Sequence, residues 1–210
     1  MKEQRPRTRH FSMIRDFQLA DLFTLLNGFA GMGAVLATMR FLAEGATGFL
    51  WLAFSLLPLS LLFDVLDGTI ARWRHKSSML GQELDSLADL ISFGVAPAGL
   101  AFAMGMQGGW DAVVLLFFVG CGISRLARFN ATAAQLADER GKVKYFEGTP
   151  IPSSLVLVAI LAVLAANGLY GGRLPLGELV IGPWRFHPLV LLYALSGSAM
   201  ISKTLRVPKP

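Results

Sequence analysis

Four aspartates stand close together in an otherwise apolar chain: Asp64, Asp67, Asp85 and Asp89, within the stretch "FDVLDGTIARWRHKSSMLGQELDSLADLISF". Asp64 and Asp67 are three residues apart, and Asp85 and Asp89 are four apart. On a helix of 3.6 residues per turn, each pair shares one face. Gly68, Ala71 and Arg72 follow Asp64 on nearly the same face, and Gly81 precedes Asp85 by one turn. Two such faces joined by a short connection bring all four carboxylates to one place. Clustered carboxylates in an apolar setting are costly unless cations neutralise them. Hard oxygen ligands suit Mg²⁺ or Mn²⁺. Four carboxylates exceed what one Mg²⁺ usually takes from protein, so two divalent ions are expected. A two-metal site suits phosphoryl transfer, in which the attacking and leaving oxygens must both be held. The small residues leave room for a ligand, and Arg72 is suited to phosphate oxygens. The competing reading makes these aspartates interfacial ion pairs with Arg72, Arg74 and Lys76.

The elements that carry this cluster are membrane helices. Of 210 residues, 54% are hydrophobic and only 16% charged, against about 25% charged in a soluble domain. A helix crosses a bilayer with about 20 apolar residues. Six candidate spans are expected near 20–40, 46–68, 83–106, 111–131, 151–171 and 186–203. The fold class is therefore an all-α integral membrane bundle of six transmembrane helices. Phe11, Ile14 and Phe17 add a short N-terminal interfacial helix. Residues 1–19 are expected to be a basic tail or interfacial segment, 20–205 the helical domain, and 206–210 a tail. The basic start lacks the apolar core of a signal peptide and reads as a retained cytoplasmic tail. Pro58 and Pro97 are expected to kink the second and third spans, and Pro150 and Pro152 to mark the entry to the fifth.

With six spans, both termini share one side. All but Arg40, Arg173 and Arg185 of the 19 Lys and Arg residues then fall on that side, which makes it cytoplasmic. The net charge of +5 reflects this topology and attraction to anionic lipid, with no nucleic-acid partner required. The single cysteine, Cys121, excludes an intramolecular disulfide. His10, His75 and His187 are scattered without metal-ligand spacing.

Written out, the stretch is Asp64-x2-Asp67-Gly68-x2-Ala71-Arg72-x8-Gly81-x3-Asp85-x3-Asp89. It resembles the motif of the CDP-alcohol phosphotransferases at all eight fixed positions. The resemblance implies metal ligation by Asp64, Asp67 and Asp85, with Asp89 completing the site and acting as general base. It places Gly68, Ala71, Arg72 and Gly81 in a CDP pocket. Thr24 and Asn27 on the first span are assigned to that pocket too, although isolated polar residues in spans also hydrogen-bond helices together. The stretches "TLLNGFAG", "DSLADLISFGVAPAGL", "RLARFNA" and "YFEGTPIPSS" resemble the bacterial and archaeal phosphatidylserine synthases of that family. This implies CDP-diacylglycerol and L-serine as substrates, an inner (cell) membrane location and a homodimer. Arg125 and Arg128 are then candidates for the serine carboxylate or the lipid phosphate, with helix anchoring as the plainer alternative. Glu147 could meet the serine ammonium. Other acceptors (glycerol phosphate, inositol phosphate) and an ether-lipid donor stay open at this level. A different class, a divalent-cation transporter, fits intramembrane carboxylates but not their position at a membrane edge beside a Gly/Ala/Arg surface.

Overall fold

The computed structural model describes residues 19–74, 79–136, 145–202 and 206–208. The interfacial helix expected before residue 19 lies outside them, as does Lys76. The chain is mainly helical. Helix α1 spans Leu19–Glu44 and α2 spans Thr47–Arg74. Then come α3 (Met79–Asp89), a π-helical stretch (Leu90–Val95) and α4 (Ala96–Ala103), which run on as one rod. Helix α5 spans Gly109–Leu136, α6 Leu155–Ala166 and α7 Leu191–Ile201.

Among the described residues, four segments are long and apolar enough to cross a membrane: Ala20–Glu44, Thr47–Ile70, Leu80–Ala103 and Gly109–Ala131. At 23–25 residues and 1.5 Å per residue, each reaches about 35 Å. The fifth and sixth expected spans are shorter than the sequence suggested. The apolar helices there are Ile151–Ala166 and Pro188–Ile201, each within 10–17 residues. Gly168, with φ +68°, ends the first of these in the left-handed conformation that terminates helices. A proline starts the second, where its missing N–H leaves no intrahelical bond unmade. The connection after α2 is tighter than expected, because α2 continues to Arg74 and α3 starts at Met79.

Two short antiparallel pairs join the helices. Strand β1 (Tyr145–Glu147) pairs with β4 (Arg206–Pro208), so residues expected to form a free tail are tied to the loop before α6. Strands β2 (Leu179–Ile181) and β3 (Trp184–Phe186) form a hairpin where a plain loop was expected.

The prolines act differently from one another. Pro58 lies inside the unbroken α2. Pro97 sits at the start of α4, directly after the π-helical stretch, where the Ala96 N–H donates to the Ile91 carbonyl five residues back. A proline cannot donate this bond and its ring crowds the carbonyl four residues earlier. The wider π turn accommodates it without breaking the rod.

The core is built from Leu50, Leu57, Phe93, Leu100, Phe118 and Tyr193, all fully buried. Tyr193 stacks edge-on to Phe118 at 5.1 Å and donates its hydroxyl to the Pro97 carbonyl at 3.0 Å, joining α7 to α4 and α5. At the other end of α5, buried Asp111 accepts from the Gly108 N–H, the His187 N–H and His187 Nδ1, at 2.8, 2.8 and 2.6 Å. Removing that carboxylate strands three buried groups. Asp111→Ala is expected to destabilise the fold by about 3 kcal/mol, read as a melting temperature lower by several degrees in detergent. The KM for the acceptor should not change, because the site lies at the opposite end of α5. An unshifted melting temperature would show that the clamp carries no load.

Candidate active site

Helices α2 and α3 place the aspartates as the helical spacing required, at the end of α2 and the start of the α3 rod. One oxygen each from Asp64, Asp67 and Asp85 falls within 4.8 Å of the others. Asp89 joins this group through its contact with the Asp64 carboxyl. Asp67 and Asp89 are buried, while Asp64 and Asp85 are half-buried. One oxygen of Asp85, Oδ1, is fully buried with no hydrogen-bond partner among the described residues.

Three converging carboxylates and an orphaned buried oxygen suit a hard divalent cation. Carboxylate oxygens bind such ions directly, and the ion's charge offsets the mutual repulsion of the acids. Among the described residues the donor set is oxygen throughout, with no thiol or imidazole, which favours Mg²⁺ or Mn²⁺ over zinc.

Helix α1 holds the cluster from the side. Thr24 donates to Asp67 Oδ2 at 2.7 Å, and Asn27 Nδ2 donates to Asp89 Oδ1 at 3.0 Å. Both residues were expected at the nucleotide; their polar groups here engage the carboxylates. Asn27 Oδ1 stays buried without a partner.

The approach of α1 depends on small residues. A Cβ on Gly28 would meet Ala88 Cβ at 3.5 Å, an ordinary contact. One on Gly31 would fall 2.2 Å from Ser92 Oγ and 2.7 Å from Ser92 Cα. Ser92 is the third residue of the π-helical stretch, and it donates to the Asn27 carbonyl at 2.9 Å. The sequence reading missed Ser92, because a serine on an apolar helix gives no local signal.

The remaining positions sort as follows. Gly68 is half-buried, and a Cβ there would meet nothing within 4 Å among the described residues, which leaves space beside the aspartates. Gly81 is half-buried in the first turn of α3. Ala71 and Arg72 lie on the last turn of α2, but their side chains are outside the described residues, as is that of Glu147. Arg125 on α5 lies near enough for its charge to act on Asp89, and its buried Nε has no hydrogen-bond partner among the described residues. Arg128 is half-buried one turn on.

Two further residues escaped the sequence reading. Asn130 accepts from Ser86 at 3.1 Å and donates to Glu83 at 3.3 Å, tying α5 to α3 beside the site. Asp21, in the first turn of α1, is buried and close enough for its charge to act on Asp67. An acidic residue in a first helical turn is usual, which is why Asp21 did not stand out.

Comparison with known proteins follows the same lines. The CDP-alcohol phosphatidyltransferase family profile matches residues 17–192. The CDP-diacylglycerol–serine O-phosphatidyltransferase of Saccharomyces cerevisiae is 47% identical over 207 residues, covering 96% of this chain and 74% of the yeast protein. The enzyme of the same name from Methanocaldococcus jannaschii is 35% identical over 148 residues, covering 70% of this chain and 62% of its own length. An archaetidylserine synthase of Methanothermobacter thermautotrophicus is 36% identical over 144 residues, covering 67% of this chain and 56% of its own.

Proposed function

Because the chain belongs to the CDP-alcohol phosphatidyltransferase family, we propose that it transfers the phosphatidyl group of CDP-diacylglycerol to L-serine, forming phosphatidylserine and CMP. The observation that carries the chemistry is the convergence of the Asp64, Asp67 and Asp85 oxygens beside Asp89. The choice of serine rests on the names of the relatives.

The serine hydroxyl oxygen forms a bond to the lipid-bearing phosphorus, and the bond from that phosphorus to the oxygen of CMP breaks. Asp89 takes the hydroxyl proton. Asn27 Nδ2 fixes Asp89 Oδ1 and so sets where the second oxygen of the carboxylate points, which a general base requires. Asp64, Asp67 and Asp85 would hold the divalent ions, with Asp89 completing the set. Two Mg²⁺ or Mn²⁺ ions bound there would supply the positive charge that offsets the negative charge of the transfer. Gly68, Ala71, Arg72 and Gly81 line the CDP pocket, into which Gly68 contributes open space. Thr24 and Asn27 serve that pocket by holding its carboxylates. Arg125 receives the serine carboxylate: its unpartnered, buried Nε beside Asp89 is a donor awaiting an acceptor. Arg128 supports the lipid phosphate.

The enzyme sits in the cell membrane with six spans, as a homodimer, its termini and site facing the cytoplasm. The lopsided Lys and Arg distribution supports this orientation. An ether-lipid donor is a second reading, favoured by the archaetidylserine synthase among the relatives.

The test follows CMP release from CDP-diacylglycerol by the purified protein with Mn²⁺ and a panel of alcohols. Serine-dependent release is expected, with little from glycerol phosphate or inositol phosphate; the reverse pattern would replace the acceptor. In the same assay, Arg125→Ala is expected to raise the serine KM about tenfold or more, consistent with losing a charge-assisted pair. An unchanged KM would remove Arg125 from the serine site.

A further inference from the structure

The β2–β3 hairpin hangs beside the first turn of α5. Trp110 Nε1 donates to the Ile181 carbonyl at 3.0 Å, and the Trp110 and Trp184 rings meet edge to face at 5.1 Å. The hairpin is pressed against the helix start. A Cβ on Gly109 would fall 2.6 Å from the Trp184 ring, and one on Gly108 would fall 2.1 Å from the Arg185 carbonyl oxygen. The buried Asp111–His187 pair clamps the residue directly after β3. The position of the hairpin relative to α5 is therefore fixed.

Leu179, Ile181, Trp184 and Phe186 share one face of the hairpin, and Val180 stands opposite Arg185 on the other. Side chains alternate across a strand, yet Leu179, Val180 and Ile181 are all exposed, Val180 at 73%. Trp184 is exposed as well. Leu176, just upstream, is also 73% exposed and holds φ at +70°, a conformation uncommon for a bulky residue. Apolar side chains thus fill one face and reach the other at Val180, while Arg185 beside it stays polar, a mixed surface that suits the boundary between lipid and water. The apolar surface is also continuous with the exposed flank of α5, where Val113 and Phe117 follow Trp110 at helical spacing. Two strands of three residues leave backbone groups unpaired along their outer edges, and these need water or headgroups. That sets the depth at the boundary between headgroups and acyl chains, where Trp is favoured. The pair of Arg185 and Glu178 at 3.5 Å supplies the polar rim.

We propose that the hairpin Leu179–Phe186, with Leu176, is an interfacial anchor seated in the membrane surface on the side away from the aspartates. Trp110 lies fifteen residues before Arg125 on α5, about 22 Å along the helix. Because hairpin and helix move as one, the anchor sets how deep α5 sits and hence the depth of Arg125 and Asn130 at the far end.

The test places a nitroxide at Val180→Cys in a Cys121→Ala background, in vesicles of phosphatidylcholine and phosphatidylglycerol. A second label, at Leu176→Cys, repeats it. Collision with oxygen is expected to exceed collision with a water-soluble nickel chelate several-fold at both positions, while CMP release stays unchanged. Nickel access equal to that of a label on a free peptide would overturn the anchor. Low access to both reagents, with spin–spin broadening that fades on dilution by unlabelled protein, would overturn it in favour of a contact between copies. Neither result touches the assignment of the aspartate site, which CMP release reports separately.

Discussion

Asp89→Asn is expected to lower CMP release by about 10²–10⁴-fold, the range supplied by a positioned general base. The substitution keeps shape and removes the group proposed to take the proton. Asn27 Nδ2 can still donate to a side-chain carbonyl at position 89, so the 3.0 Å link between α1 and the α3 rod survives. Neutralising one member of a carboxylate cluster also relieves repulsion among Asp64, Asp85 and Asp89 when no divalent ion is present. The melting temperature without added metal should accordingly stay level or rise. This pairing separates loss of chemistry from loss of fold. A variant that retains more than a tenth of the wild-type rate would remove Asp89 from the proton-accepting role. One that is inactive and melts well below wild type would make its role structural.

The second large effect is expected from a single methyl group. Gly31→Ala would set a Cβ 2.7 Å from the backbone Cα of Ser92, and backbone cannot rotate away as a flexible side chain can. Helix α1 must then lift from the π-helical stretch. The links from Asn27 to Asp89 and from Thr24 to Asp67 run across the same interface, so the carboxylates lose their fixed donors. Overpacking of this kind costs about 1–3 kcal/mol. We expect a lower melting temperature together with at least a tenfold loss of CMP release. Gly28→Ala is the internal control. Its new Cβ meets Ala88 Cβ at 3.5 Å, and exchanging a helical glycine for alanine gains about 0.5–1 kcal/mol. That variant should be as active and as stable as the parent or more so. Equal behaviour of the two variants would show that the contact between Gly31 and Ser92 does not hold the site together.

Much of the site was legible because its determinants are local. The intervals among Asp64, Asp67, Asp85 and Asp89 are helical intervals, and the short connection from α2 to α3 left their ends no choice but to meet. The four long spans were legible for the same reason, since apolar length is counted along the chain. The last two apolar helices were overextended by that count, as Gly168 and Pro188 cut them short. The hairpin was missed because strands of three residues are too brief to show a period. Pro97 announced a disturbance in the third span, but not that a π-helical stretch would absorb it.

Sequence by itself determined which carboxylates cluster, the faces on which they lie and the hydrophobic lengths that carry them, because residue chemistry and the 3.6-residue period need no partner. Tertiary structure decided what those faces meet. Thr24 and Asn27 became the supports of Asp67 and Asp89, Ser92 became the stop against Gly31, and Asn130 became the tie between α5 and α3. Each role depends on how closely two helices approach, and that distance is set by small side chains facing one another across tens of residues of chain.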